Sequence, residues 1–257
     1  MNKLPAFQTI KHALKAVIQF RNAGARIGLP WILVLTVINF LGHSFSTAPA
    51  PAPADGGMTM MIPGPMDFVV VALSLVIFSS IAVNWHRYIL LDEITESEKL
   101  FRLDRPVWNY ALRTLLIMLF AFAPILVLLK IFSAGVPGLG LFLVVAALLV
   151  AAIYIMRMSV ALPAIALDRP DFGIPAALQV TKGNNLQFAA LLALNSLILF
   201  ATFLAIGIVL SIVGSVNLTV AKVVAVLLSV PVNLFLSLFS VSLLSSLYGF
   251  FVEQRKF

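Results

Sequence analysis

Long apolar stretches separated by short polar segments dominate the pattern of this 257-residue chain. A continuous apolar run of about twenty residues is the length that an α-helix needs to cross a hydrocarbon core about 30 Å thick. The runs lack the strict alternation of apolar and polar residues that the strands of a membrane barrel require. The pattern therefore predicts an all-α, polytopic membrane protein with about six transmembrane helices, at residues 27–41, 68–91, 107–132, 139–166, 186–212 and 220–248.

Two further segments have the pattern of helices that lie along a membrane surface. Residues 1–26 place apolar side chains at helical spacing with basic residues between them, which predicts an amphipathic interfacial helix. The alternative is a solvated basic lead-in to the first span. Residues 171–182 predict a short interfacial helix before the fifth span, closed by Gly183. The chain thus divides into the cytoplasmic segment 1–26 and a single transmembrane domain, 27–257.

The distribution of positive charge predicts the orientation. With the amino terminus inside, all of the 17 Lys and Arg residues except Lys130 and Lys222 fall on the inner side. Such an excess of basic residues in short cytoplasmic loops is typical of multi-pass proteins. Both termini are therefore expected in the cytoplasm, and residues 42–66, 133–138 and 213–219 are expected outside.

Composition narrows the class further. The chain is 61% apolar and only 11% charged, whereas soluble domains carry about 25% charged residues. Its net charge of +7 sits beside the apolar runs as membrane anchors do, without the basic stripe of a nucleic-acid-binding protein. We expect membrane lipids as partners, anionic phospholipid among them, and no nucleic acid. The absence of cysteine excludes disulfides and thiolate metal sites.

The motifs of intramembrane enzymes are missing. The histidines, His12, His43 and His86, lie in three separate regions without metal-ligand spacing. No GxSxG motif or P-loop is present, and no span carries a central carboxylate. The sequence therefore predicts no catalytic, cofactor-binding or metal-binding residues. The remaining enzymatic alternative is catalysis by the loop acids Asp92, Glu93 or Glu96.

Two arginines stand near the inner ends of predicted spans. Arg87 and Arg157 each lie about 27 Å along their helices, close to the inner edge of the hydrocarbon core. One interpretation is a pair of cations that grips an anionic head group or substrate. The other is a pair that reaches to lipid phosphate or pairs with Asp92 and Asp168, the nearest acids along the chain.

The last two spans carry amides and hydroxyls. Asn195 and Asn233 fall near their middles and are candidates for interhelical polar contacts. The sixth span also carries a series of serines: Ser237, Ser240, Ser242, Ser245 and Ser246. A packing face is the leading interpretation, and a transport path is the alternative.

The inward-ending spans share a pattern at their ends. Residues 85–93 and 157–168 each contain an arginine, an apolar stretch and then an acid, and Glu253 follows a similar apolar run in the sixth span. Three helical hairpins arranged as parallel repeats would explain this pattern. The alternative is that inward-ending helices generally attract aromatic and charged residues.

The segment RMSVALPAIALDRPDFGIPAALQVTKGN, residues 157–184, carries a family resemblance. It resembles the YciC-like uncharacterised bacterial inner-membrane proteins and the membrane domain joined to some glycerophosphodiester phosphodiesterases. WHRYILLDE, residues 85–93, is similar to a segment of other proteobacterial membrane proteins. The resemblance implies a fold and a bacterial inner membrane, but no activity.

These observations lead to one main hypothesis and two rivals. The main hypothesis is a non-enzymatic, membrane-embedded scaffold, complex subunit or envelope-homeostasis factor. The first rival is a transporter or permease for a lipid or small amphipathic solute, with its site near Arg87 and Arg157. An enzyme acting on lipid head groups ranks last. A polar cavity between the spans would favour transport, and a filled bundle with an exposed apolar face would favour a partner protein.

Overall fold

The described part of the chain is built from α-helices. The structure, a computed structural model, describes residues 3–45, 64–94, 100–133, 137–169 and 171–255, with side chains for all of these except 40–45, 121–133 and 137–141. No strand occurs in these ranges, which confirms the all-α prediction. The helices are α1 (Ala6–Gln19), α2 (Arg21–Phe45), α3 (Pro65–Leu91), α4 (Arg105–Ser133), α5 (Pro137–Ser159), α6 (Leu162–Ala166), α7 (Ile174–Val180), α8 (Asn185–Val216) and α9 (Leu218–Phe251).

Four described segments are long and apolar enough to cross a membrane. They are α3, the segment Phe142–Ala166 that joins most of α5 to α6, α8 and α9. These segments match the predicted second, fourth, fifth and sixth spans. The predicted first and third spans fall on α2 and α4, whose later turns lack described side chains. The described part thus has four candidate spans, and a total of six stays a prediction.

The amino-terminal segment is divided where one helix was expected. Phe20 separates α1 from α2, so residues 21–26 belong to the second helix and not to the first. Phe20 packs edge-on against Tyr88, with the ring centroids 5.6 Å apart. This contact holds the junction of α1 and α2 against α3. The side of α1 that packs on α8 and α9 is apolar and buried, and includes Ile10, Ala13 and Val17.

The fourth predicted span ends at residue 166 as expected but is interrupted before its end. Helix α5 stops at Ser159, residues 160 and 161 form a turn, and α6 follows. Pro163 lies in the first turn of α6, where its missing N–H costs nothing. In an uninterrupted helix the same proline could not donate a backbone hydrogen bond to Ser159. The turn avoids this loss, which the apolar pattern of the sequence does not reveal.

The predicted outer loop 213–219 is a single residue, because helix α8 continues to Val216 and α9 begins at Leu218. Asn217 makes this possible. Its side-chain oxygen accepts hydrogen bonds from the backbone N–H groups of Thr219 and Val220, at 2.9 and 3.1 Å. These are two of the groups that the start of a helix leaves without partners.

The ends of α3, α6 and α9 meet the beginnings of α4 and α8, and we call this region the basic end. Arg87 of α3 contacts Asp168 just after α6, and Phe188 of α8 stacks on Phe251 of α9. The largest fully buried side chains include Trp85, Tyr110, Tyr248, Phe188 and Phe239. The tightly packed core is thus concentrated at the basic end, where positions for functional side chains are best defined.

Two glycines let α2 approach α9 closely. A Cβ atom at Gly24 would lie 2.6 Å from the Cδ1 atom of Leu238 and 3.3 Å from the ring of Trp85. A Cβ atom at Gly28 would meet the side chain of Leu234. Small residues spaced four apart on a helix allow such close packing in membrane proteins.

We expect Gly24→Ala to destabilise the protein by about 1–3 kcal/mol, because the added methyl group overpacks the contact with Leu238. Gly214→Ala is the matched control, since a Cβ built there meets only the Cβ atom of Ala221, at an ordinary contact distance of 3.7 Å. That variant should gain stability, by up to about 1 kcal/mol of helix propensity. Thermal unfolding of both variants in the same detergent measures the difference. A Gly24→Ala protein as stable as the control would contradict the packing.

Candidate functional site

Arg87, the first of the two predicted site arginines, is neutralised by two acids of the protein. Its Nε atom lies 2.7 Å from the Oε2 atom of Glu93, and its Nη1 atom lies 3.2 Å from the Oδ2 atom of Asp168. The same Nη1 group donates to the carbonyl oxygen of Ala166 at 3.2 Å. The guanidinium therefore fastens the end of α3 to the end of α6.

Asp92, the acid expected beside Arg87, has a different role. It adopts a left-handed conformation with φ of 53° and closes α3, its N–H donating to the carbonyl of Arg87. Aspartate tolerates this conformation better than most residues. The turn leaves Asp92 exposed and brings Glu93 to the guanidinium. Glu93, and not Asp92, is thus the neighbouring acid that pairs with Arg87.

Arg157 is more deeply enclosed, with only 6% of its surface exposed. Its Nε group donates to the Thr181 hydroxyl at 2.9 Å, Nη1 to the side-chain oxygen of Asn185 at 3.0 Å, and Nη2 to the Leu178 carbonyl at 2.7 Å. The guanidinium carbon also lies 5.1 Å from the centre of the Tyr154 ring. Arg157 thereby joins α5 to the end of α7 and the start of α8.

The predicted joint site of Arg87, Arg157, Asp92 and Asp168 does not form. Asp168 pairs with Arg87, and the hydrogen-bond acceptors of Arg157 are neutral. The cause is the α5–α6 turn together with α6, which place Asp168 beside the end of α3. Arg157 therefore uses all three of its guanidinium nitrogens within the protein, and Arg87 uses its Nε and Nη1 groups there.

The two asparagines are not joined by a hydrogen bond in the described structure. Asn195 is half-buried and Asn233 is exposed. Helices α8 and α9 do pack against each other as consecutive neighbours. The buried residues of α8, Phe188 and Leu191, lie in its first two turns, so its tightest packing is at the basic end, away from the middle positions of the asparagines.

Three serines of α9 supply the interhelical polar contacts instead. The pairs are Trp85 Nε1 with Ser242 Oγ at 2.8 Å, His86 Nδ1 with Ser245 Oγ at 2.8 Å, and His12 Nδ1 with Ser246 Oγ at 2.9 Å. Ser245 and Ser246 donate their own hydroxyls to the backbone carbonyls four residues earlier. Their oxygens therefore accept from the rings, which places a proton on Nδ1 of both histidines. These contacts agree with the interpretation of the α9 serines as a packing face.

The histidines were missed as packing residues because the sequence analysis considered them only as metal ligands. His86 is fully buried, and its Nε2 atom lies 3.4 Å from the Tyr110 hydroxyl. His12 binds α1 to α9, and desolvation at this contact, followed by the charges of Lys15 and Arg255, lowers its pKa below the ordinary value. The serines at 242, 245 and 246, on one side of a helix, were the available signal.

An open groove of about 680 Å³ lies between α4 and the connection from α6 to α7. We call it the arginine groove, because three of its lining residues are Arg105, Arg113 and Arg169. Its apolar lining residues are Leu112, Leu116, Ile165, Phe172 and Ile174. In the sequence, these arginines contributed only to the charge distribution that predicts the orientation of the chain in the membrane.

The described residues contain no group of three or more His, Asp or Glu side chains placed to hold a metal ion. Comparison of the chain with protein-family models, with curated proteins and with solved structures finds no match. The resemblance to YciC-like proteins therefore stays a prediction.

Proposed function

We propose that the protein is a non-enzymatic membrane scaffold or complex subunit, and that a transmembrane helix of another chain packs against α8. The support comes from the surface of α8. None of the residues in its most apolar 18-residue stretch is buried by the rest of the protein. A helix inside a filled bundle normally buries one side against its neighbours.

A shallow apolar groove on α8 is the observation that carries this proposal. Gly207 and Ser211, one turn apart, lie between large side chains that include Phe203, Leu204 and Ile208. The space in front of Gly207 is open. Small residues at this spacing let the backbones of two membrane helices approach closely, which is the main source of helix association in lipid.

The remaining geometry supports a structural role over a solute path. The cavity between α4 and α5 and the groove on α8 have almost wholly apolar linings, unlike the arginine groove. At the basic end, His12, the buried His86 and Arg157 use their polar groups to join helices to each other. The basic end is thereby suited to hold α8 in a fixed position.

The test compares Gly207→Leu with Ala205→Leu, two changes of similar size about 200° apart around the same exposed helix. Each variant is purified in mild detergent, and its mass and co-purifying proteins are measured by native mass spectrometry. Gly207→Leu should abolish a complex, with a second copy or another protein, that the wild type and Ala205→Leu retain. A wild-type protein that is monomeric in lipid nanodiscs would overturn the proposal.

We further propose that the basic end faces the cytoplasm of a bacterial inner membrane. The excess of Lys and Arg at that end supports this orientation, and the resemblance described above supports the membrane. Arg21→Cys and Lys222→Cys are suitable probes, because both positions are exposed and the chain has no other cysteine. In intact cells an impermeant thiol reagent should label only position 222, and labelling of position 21 would reverse the topology.

A carrier of a lipid or amphipathic solute is the second candidate. The arginine groove supports it, because it combines cations with an apolar wall. It ranks below the scaffold because the groove lies at one end of the described helices. Proteoliposomes that move fluorescent phospholipid between leaflets faster than empty liposomes would favour the carrier, and equal rates would exclude it.

A further inference from the structure

Two arginines of α4 face the arginine groove without an ion pair to any described residue. Arg105 and Arg113 are both exposed and lie eight residues apart, which is about 12 Å along one side of the helix. Asn109 lies between them and also lines the groove. Arg87 and Arg157, by contrast, donate hydrogen bonds to other groups of the protein.

A third cation faces them from the other side of the groove. Arg169 is 44% exposed, and its Nη1 atom lies 3.0 Å from the Tyr248 hydroxyl and 3.6 Å from Glu253. These contacts hold its guanidinium in place but leave part of it open. Asp168 is the one acid among the described residues that line the groove, and it is shared with Arg87. The groove is therefore positively charged.

The wall next to these cations is apolar and exposed. Leu112 and Leu116 are 55% and 45% exposed, on the turns of α4 that flank Arg113. Phe172 and Ile165 line the opposite side. The groove therefore combines cations with an exposed apolar wall. Such a surface matches a ligand that is anionic at one end and apolar at the other.

The position of Arg113 in the chain indicates where such a ligand comes from. It is the last charged residue before an apolar stretch that continues to Lys130. An arginine at the edge of an apolar stretch normally reaches toward the phosphates of the membrane surface. A soluble anion would use the arginines but would leave the leucine wall exposed to water.

We propose that the arginine groove binds the head group of an anionic membrane phospholipid, with Arg105 and Arg113 on its phosphate and Leu112 and Leu116 along its acyl chains. Arginine suits this role, because its planar fork of donors matches phosphate oxygens. The site does not depend on the scaffold or carrier role, because it requires neither a partner protein nor movement of lipid.

The test measures which lipids the protein retains. Wild-type protein is placed in nanodiscs of mixed phosphatidylglycerol and phosphatidylcholine and is then released for native mass spectrometry. The ratio of phosphatidylglycerol to phosphatidylcholine that stays bound measures the preference. Each basic residue near anionic lipid contributes about fivefold to binding, so Arg105→Gln with Arg113→Gln should lower the preference for phosphatidylglycerol about 30-fold. Lys11→Gln with Arg21→Gln, an equal loss of two charges at exposed positions outside the groove, should leave it unchanged. An equal preference in all three proteins would overturn the proposal.

Two further measurements keep the result interpretable. The single variants Arg105→Lys and Arg113→Lys keep the charge, so they should retain most of the preference even if the double variant folds poorly. Inorganic phosphate is then added to wild-type protein in nanodiscs of phosphatidylcholine alone. A thermal stabilisation equal to that given by phosphatidylglycerol would identify the groove as a soluble-anion site and would overturn the lipid assignment. A smaller stabilisation agrees with it.

Discussion

Replacement of Trp85 by alanine is expected to lower the free energy of unfolding by about 4 kcal/mol, because it empties a large site in the core. The indole is fully buried, it stacks on Tyr88 at a centroid distance of 5.7 Å, and its N–H donates to Ser242. It also lies against Gly24 of α2. Its loss therefore weakens the contacts that α3 makes with both α2 and α9.

Two variants separate the causes of this effect. Trp85→Phe keeps most of the apolar volume but loses the hydrogen bond to Ser242, so it should cost about 1–3 kcal/mol. Trp108→Ala is the control for the size of the change, because Trp108 is 55% exposed and its N–H donates to the Leu103 carbonyl. Unfolding is followed by tryptophan fluorescence in detergent. A Trp85→Ala protein as stable as Trp108→Ala would mean that the α3–α9 contact contributes little.

The long helices were predictable because their physical cause is local. An uninterrupted apolar run long enough to span a bilayer has few alternatives to a helix, since the backbone must satisfy its own hydrogen bonds there. The predicted spans agree with the observed bounds of α3, α8 and α9 to within a few residues. The break between α5 and α6 was not predictable from hydropathy, because its residues are as apolar as those of the helices beside it.

The partners of the arginines were harder to predict, because one turn residue decides them. The depth of Arg87 followed from counting residues, but its pairing with Glu93 depends on the left-handed backbone at Asp92. The arginine groove brings Arg105 and Arg113 to Arg169, more than fifty residues away in the chain. Without the fold, nothing in the sequence distinguishes these arginines from ordinary membrane anchors.

The three spans that are predicted to end inward do share a backbone feature. Asp92, Asp168 and Gln254 are the non-glycine residues with positive φ in the described chain, at 53°, 55° and 56°. Asp92 and Asp168 are the acids of the endings at 85–93 and 157–168, and Gln254 directly follows Glu253, the acid of the third ending. The feature supports the parallel-repeat hypothesis for the endings. It does not extend to the arginines, since Arg87 lies five residues before its turn and Arg157 lies eleven before its own.

Arg157→Ala is expected to lower the free energy of unfolding by about 3 kcal/mol. Hydrogen bonds to a charged group contribute about 1.5–3 kcal/mol each, and buried acceptors left without a donor add to the loss. Arg157 serves three acceptors, of which the Leu178 carbonyl belongs to the last turn of α7. Arg157→Lys should recover only part of the loss, because one ammonium cannot reproduce the fork of the guanidinium. The exposed Arg21→Ala should change stability by less than about 0.5 kcal/mol.

The same variant distinguishes a structural arginine from a lipid-binding one. If Arg157 holds α7 in place, Arg157→Ala should speed hydrogen exchange of the α7 amides and leave the preference for phosphatidylglycerol intact. The Arg105→Gln and Arg113→Gln variant should do the opposite, because its side chains face the groove and make no ion pair within the described protein. Loss of lipid preference in Arg157→Ala without faster exchange in α7 would return Arg157 to the role of a head-group ligand. Since its donors are already within 3.0 Å of protein oxygens, we expect the first result.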